Sequence, residues 1–200
     1  MIRFLKSSFI LASFIGFSTL PAQAKVETGT SVADLTVTDS HGNTHNLSDF
    51  AGKTVILEWT NHGCPYVKKH YNTGNMQATQ TAALTDEDTV WLSVFSSAPG
   101  RQGHVTGEQA NMITAEKNAS PTALILDPKG DAGHYFSAKT TPHMFIIDAN
   151  QTLIYQGAID SNPSASPKTI DGATNYVLAA LAELKAGQPI TIAETDAYGC

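Results

Sequence analysis

Apolar and polar residues alternate from Val32 to Asp39, the two-residue period of a strand with one buried face. His41-Gly42-Asn43 is a turn signal, and Thr44 to Leu47 returns as a second strand, so a hairpin opens the fold. After a short turn over Ser48 to Lys53, the apolar run Thr54-Val55-Ile56-Leu57 reads as the core strand. Helical composition starts at Pro65 and extends to about Leu84, with Gly74 as a kink or early stop. Thr89 to Phe95 is rich in Val, Trp, Leu and Phe and reads as a buried strand, followed by a loop with Pro99, Gly100 and Gly103. Glu108 to Asn118 has helical spacing, and Ala123 to Leu126 is a short strand closed by the turn Asp127-Pro128-Lys129-Gly130. A short helix over Ala132 to Ala138 precedes a hairpin, Met144–Asp148 and Leu153–Gln156 around Ala149-Asn150. Ser161 to Ser166 is an irregular insert, Gly172 to Lys185 the last helix, and Pro189 to Cys200 a mobile tail. Strands alternating with helices predict an α/β fold with both faces of a central sheet covered.

The first residues stand apart from this pattern. Arg3 and Lys6 form a short positive end, Phe9 to Leu20 is apolar, and Ala22-Gln23-Ala24 is a small-residue cleavage pattern. Residues 1–24 therefore read as a secretory signal peptide and residues 25–200 as one domain. The alternative is an uncleaved anchor, but the apolar core is short against the roughly 20 residues that span a bilayer. No later stretch is long and apolar enough for a membrane span. Without Arg3 and Lys6, ten basic residues face eighteen acidic ones, a net charge of −8. An acidic surface argues against nucleic acid and anionic membrane as partners. Export, with the periplasm as the expected destination, implies an oxidising compartment. The chain has two cysteines, Cys64 and Cys200. Two are too few for a disulfide scaffold and suit one reactive thiol with one resolving partner, though spacing does not say whether they meet.

Candidate chemistry concentrates in the stretch from Glu58 to Tyr71. A small-residue turn, Asn61-His62-Gly63, leads from the core strand to Cys64, and Pro65 follows where a helix begins. Proline suits the first helical position, so Cys64 is expected at a helix N-terminus. The free N–H groups and helix dipole there favour a thiolate, the nucleophilic form of cysteine. Lys68, one turn on, would add positive charge if it faced the sulfur. A buried, inert cysteine is the plainer alternative.

This stretch resembles the thioredoxin superfamily in its redoxin, peroxiredoxin-like branch. Cys64 matches the first cysteine of the thioredoxin Cys-x-x-Cys motif and Val67 replaces the second. Glu58, six residues before Cys64, stands where the family carries a buried acid that accepts a proton. The opening hairpin followed by Leu47-Ser48-Asp49-Phe50-x-Gly52-Lys53 is similar to the first half of redoxin domains. Thr141-Pro142 stands before the strand at Met144, where the family places a cis-proline loop that offers backbone groups to an extended partner chain. The resemblance implies a thioredoxin-like fold: a central mixed β-sheet flanked by helices, with an N-terminal β-hairpin. It also implies thiol–disulfide oxidoreductase chemistry at Cys64 with Glu58 assisting, Thr141-Pro142 facing the substrate, and protein or small-molecule thiols and disulfides as partners.

Several residues qualify that picture. His62 and His143 are candidates for tuning the thiol. A metal site with Cys64 is a weaker alternative, since the two-cysteine motif of redoxin-type copper chaperones is absent, and no metal or cofactor is expected. Peroxiredoxins need Thr or Ser three residues before their cysteine and a distant arginine, whereas here Asn61 holds that place and Arg101 is the one arginine after residue 24. Weak thiol peroxidase activity through a Cys64 sulfenic acid, or a non-catalytic module binding a peptide or metal, remain the alternatives. With one motif cysteine, a mixed disulfide has to be resolved from elsewhere, and Cys200 is the candidate.

Overall fold

The computed structural model describes residues 25–32 and 34–200, so the signal peptide read over residues 1–24 lies outside the described residues. Seven strands form one mixed sheet. They are β1 (Thr36–Asp39), β2 (Thr44–Asn46), β3 (Thr54–Trp59), β4 (Thr89–Phe95), β5 (Ala123–Leu126), β6 (His143–Ile147) and β7 (Leu153–Gly157), in the order β2-β1-β5-β4-β3-β6-β7. The three central strands are parallel, and β6, β7 and the β1–β2 hairpin are antiparallel to their neighbours. Every residue of β4 is buried, as expected for a strand covered on both faces. Among the described residues there are five α-helices: α1 (Pro65–Asn72), α2 (Asn75–Ala83), α3 (Gly107–Glu116), α4 (Asp131–Phe136) and α5 (Tyr176–Lys185).

Alternate residues of β3 feed two separate cores, because neighbouring side chains on a strand point to opposite faces. Val55, Leu57 and Trp59 pack with Phe136 and Phe145 on one face. Ile56 packs with Met76, Trp91, Met144 and Val177 on the other. Glu58 has the same parity as Ile56, so its carboxylate is directed into the second, apolar face.

Four readings are corrected by more than two residues or in kind, while several other element ends shift by one or two residues. The first strand begins at Thr36, since ladder pairing with β2 and β5 covers only Thr36–Asp39, and upstream there is an isolated bridge from Ser31 to Thr152. The long helix from Pro65 is two helices, separated where Gly74 takes φ 78°, a left-handed conformation that suits glycine. The last helix starts at Tyr176 because Asn175 caps it, its Oδ1 accepting from the Leu178 N–H at 3.0 Å. The fourth correction is the tail, which is fixed to the domain rather than mobile. Gln156 of β7 donates its N–H to the Ala193 carbonyl at 3.0 Å and accepts from the Thr195 N–H at 3.1 Å. The Thr195 hydroxyl lies 2.9 Å from the Tyr155 hydroxyl and accepts from the Ala158 N–H at 2.9 Å. No helix among the described residues is long and apolar enough to cross a membrane.

Candidate active site

The turn that presents Cys64 is held from three sides. At the end of β3 the Trp59 ring packs on Phe136 and Phe145, and its Nε1 donates to Ser96 Oγ at 2.8 Å. Asn61 then organises the turn: its side-chain oxygen accepts from the Gly63 N–H at 2.9 Å, and its carbonyl accepts from the Cys64 N–H at 3.0 Å. The Asn61 and Gln102 amides pair reciprocally, at 2.8 and 3.0 Å, and tie the turn to the loop after β4. A Cβ on Gly63 would meet Gln102 Nε2, so a larger residue there would displace the Gln102 amide from its pairing with Asn61. Asn61, which stands where peroxiredoxins place a hydroxyl residue, thus serves the geometry of the turn.

Cys64 is the N-cap of α1 and Pro65 its first residue, as the spacing predicts. The cysteine is 2 % exposed and is joined to Cys200 in a disulfide across 136 residues of sequence. Cys64 Sγ lies 3.1 Å from the Thr141 carbonyl oxygen. In the disulfide this sulfur has no proton to donate; a reduced thiol would find its acceptor there. The same carbonyl accepts the Cys200 N–H at 3.3 Å. The Thr141–Pro142 bond is cis. Antiparallel register sets His143 opposite Trp59, which brings the Thr141-Pro142 loop beside the turn that carries Cys64. The sulfur therefore sits between a helix N-terminus, which favours its charge, and a carbonyl, which opposes it.

Glu58 is wholly buried beneath α1. Its carboxylate accepts from the Tyr71 hydroxyl at 2.8 and 3.0 Å, from Trp91 Nε1 at 2.9 Å and from Ser93 Oγ at 2.9 Å. Burial raises the Glu58 pKa above its ordinary value, while those donors pull it down. Its partners are distinct from those of Cys64 Sγ, which are Cys200 and the Thr141 carbonyl.

The remaining predicted residues separate. His62 and Lys68 are exposed and line a small cavity shared with Val67, Tyr71 and Ser93. Neither is among the sulfur's polar contacts. His143 is buried against Phe145 with ring centroids 4.4 Å apart, and its Nδ1 accepts from the Lys139 N–H at 3.3 Å. Burial lowers its pKa to about 4, so the ring is neutral at pH 7. Among the described residues no group of three or more His, Cys, Asp or Glu could hold a metal ion.

Sequence reasoning missed a buried polar cluster on the other flank of α1. Lys69 Nζ lies 3.2 Å from Asp160 Oδ2 and donates to the Asn162 carbonyl at 3.1 Å. Asn75 Nδ2 lies 2.8 Å from His70 Nδ1, which places the ring proton on Nε2 when assigned from this network. Burial lowers the His70 pKa to about 4 against the attraction of Asp160. The signal available was slight: Lys69-His70 follows Val67 on the inward side of a short helix.

The family model described as Redoxin matches residues 27–174. The chain belongs to the redoxin family. This redoxin is similar over 87 % of its length, and 90 % of the other chain, to an uncharacterized conserved protein from Geobacillus kaustophilus, with 19 % identity and TM-score 0.74. A hypothetical protein from Sinorhizobium meliloti 1021 covers 88 % of this chain and 94 % of its own, with 19 % identity and TM-score 0.73. The thioredoxin domain of a Bacteroides vulgatus thiol-disulfide oxidoreductase covers 66 % and 89 %, with 22 % identity and TM-score 0.51. At these identities the likeness carries the thioredoxin-like fold alone. No curated protein matches this sequence. The family match stops before Cys200, so the redoxin's second cysteine lies outside the matched region.

Proposed function

We propose that this redoxin is an exported two-cysteine thiol–disulfide oxidoreductase in which Cys64 attacks and Cys200 resolves. The observation that carries the reading is the Cys64–Cys200 disulfide at the start of α1, against the cis Thr141-Pro142 loop. In the reduced protein the Cys64 thiolate attacks one sulfur of a substrate disulfide. A mixed disulfide forms and the first substrate thiolate leaves, taking a proton from water. The Cys200 thiolate then attacks Cys64 Sγ, the second substrate thiolate leaves, and the protein disulfide closes. Two electrons pass from the cysteine pair to the substrate; the reverse sequence oxidises a dithiol. Glu58 is proposed to take or give the proton that accompanies Cys64, by an indirect transfer because the two side chains share no partner. The Thr141 carbonyl is the backbone acceptor for the substrate. Export, with removal of residues 1–24, is proposed from the leader pattern and supported by the paired cysteines, which persist in oxidising compartments.

Trapping tests the assignment. Cys200→Ser, incubated with a small aryl disulfide, should accumulate a stable mixed disulfide on Cys64, while the reduced wild type passes through it to the closed disulfide. An unmodified Cys64 in Cys200→Ser would refute the attacking role.

A further inference from the structure

Tyr198 sits two residues before the resolving cysteine, and its surroundings are more elaborate than a disulfide alone requires. Its ring lies against Tyr66, with centroids 5.8 Å apart, and Lys69 Nζ is 5.6 Å from its centroid. Its hydroxyl donates to Asp160 Oδ1 and lies 3.4 Å from His70 Nε2. The tautomer fixed by Asn75 lets His70 donate to the phenol oxygen while the phenol donates to Asp160. Asp160 and Lys69 are both buried, so the phenol completes an ion pair shielded from water. Between Tyr198 and Cys200, a Cβ on Gly199 would lie 2.0 Å from the Thr141 oxygen. Only glycine lets the segment approach the Thr141-Pro142 loop this closely.

We infer that the Tyr66–Lys69–His70–Asp160 cluster is a seat for the Tyr198 phenol, and that Tyr198 is a positioning residue holding Cys200 over Cys64 whether or not the disulfide is closed. The inference rests on the two-cysteine reading and adds to it. It assigns the resolving thiol a docked position, and it makes the chain's own Tyr-Gly-Cys segment a competitor for the Thr141 carbonyl that a substrate backbone would use. A seated tail raises the local concentration of the resolving thiol. It also shields Cys64 from the first attack. Removing the hydroxyl should therefore move two rates in opposite directions, which a general loss of stability would not do.

The test uses the full chain and Tyr198→Phe, which keeps the ring and removes the hydroxyl. Hydrogen exchange of the reduced proteins decides the seat. The Cys200 N–H of reduced wild type is expected to exchange at least tenfold more slowly than in reduced Tyr198→Phe, because the lost hydrogen bond is to a charged acceptor. Equal exchange in the two reduced proteins overturns the inference, whatever Cys64 does. The second measurement follows an aryl disulfide whose thiol product absorbs visible light. One protein thiolate attacks it, forming a mixed disulfide and releasing the first aryl thiolate. The other cysteine then attacks the protein sulfur, closing the disulfide and releasing the second aryl thiolate in a first-order phase. Tyr198→Phe should slow that phase at least tenfold, equivalent to about 1.4 kcal/mol. Iodoacetamide should reach Cys64 faster in Cys200→Ser/Tyr198→Phe than in Cys200→Ser. Closure rates within twofold of each other overturn the positioning role. A wild type that never releases a second aryl thiolate refutes the two-cysteine reading instead, and hydrogen exchange then still decides the seat.

Discussion

Lowering the pH should destabilise the folded domain through two histidines, and the size of the effect follows from their burial. His70 and His143 both have folded pKa values pushed down to about 4 from 6.5. A depressed folded pKa means that the unfolded chain binds protons first. Stability from these groups is complete above about pH 6.5 and is lost as pH falls towards 4. Between those limits each histidine contributes a slope of about 1.4 kcal/mol per pH unit. At pH 5 the loss from His143 comes to about 2 kcal/mol, and His70 adds destabilisation of the same sign. Other groups overlap this range. Glu58, with its pKa raised by burial, has the opposite sign and loses stability as pH rises. Asp39, held well below the usual carboxylate range by its hydrogen bond with His45, adds destabilisation only in stronger acid. Comparing wild type with His143→Gln isolates one histidine, because glutamine keeps an acceptor for the Lys139 N–H. Urea unfolding of the oxidised proteins at intervals from pH 7 to pH 4.5 measures both slopes. The wild-type slope should exceed that of His143→Gln by about 1.4 kcal/mol per pH unit in mid-range. Parallel curves would show that His143 titrates normally in the fold and would refute the reasoning.

Three further outcomes are expected. Cys200→Ser should lower unfolding free energy by about 5 kcal/mol, since the disulfide closes a loop across 136 residues, and a urea midpoint unchanged from oxidised wild type would contradict this. Glu58→Leu orphans the donors on Tyr71, Trp91 and Ser93 and should cost at least about 3 kcal/mol, whereas Glu58→Gln keeps an acceptor and should cost less, as chemical denaturation at pH 7 would show. If residues 1–24 are removed on export, mass spectrometry of the secreted or periplasmic protein will find Lys25 at its N-terminus; a chain retaining Met1 in that fraction would count against cleavage.

Where local pattern dictates local structure, the sequence was sufficient. β4 and β5 match the expected Thr89–Phe95 and Ala123–Leu126 residue for residue, because each is an apolar run bounded by polar or turn residues. The start of α1 was legible for the same reason: Pro65 fits a helix start, and the strand before Cys64 is unambiguous. Strand β1 was overextended because alternation continues upstream of Thr36, where the chain leaves the hairpin and meets the β7 edge through an isolated bridge rather than a ladder. The contacts of the tail were out of reach. Asp160 meets Lys69 across 91 residues and Tyr198 meets His70 across 128, so neither pairing leaves a local trace. Glu58 could be placed by its likeness to a family acid, but the donors that hold it come from α1, α2 and β4 and follow only from the packed fold.

The strap that Ala193–Thr195 lays along β7 also bears on how the protein behaves in concentrated solution. β7 is the last strand on its side of the sheet, and an uncovered edge offers its N–H and C=O groups to any other chain. Here Gln156 is taken by Ala193 and Thr195, while Leu153 is taken by Gly29 and Thr30. Segments from both ends of the domain thus blunt the same edge, and the opposite edge, β2, is only three residues long. Detaching the tail would remove half of that cover and leave a hydrogen-bonding register at Gln156 open to a second molecule. These bonds do not involve the disulfide, so the edge stays covered when the disulfide opens, and whatever keeps Thr195 in place guards against self-association as well as keeping Cys200 near Cys64.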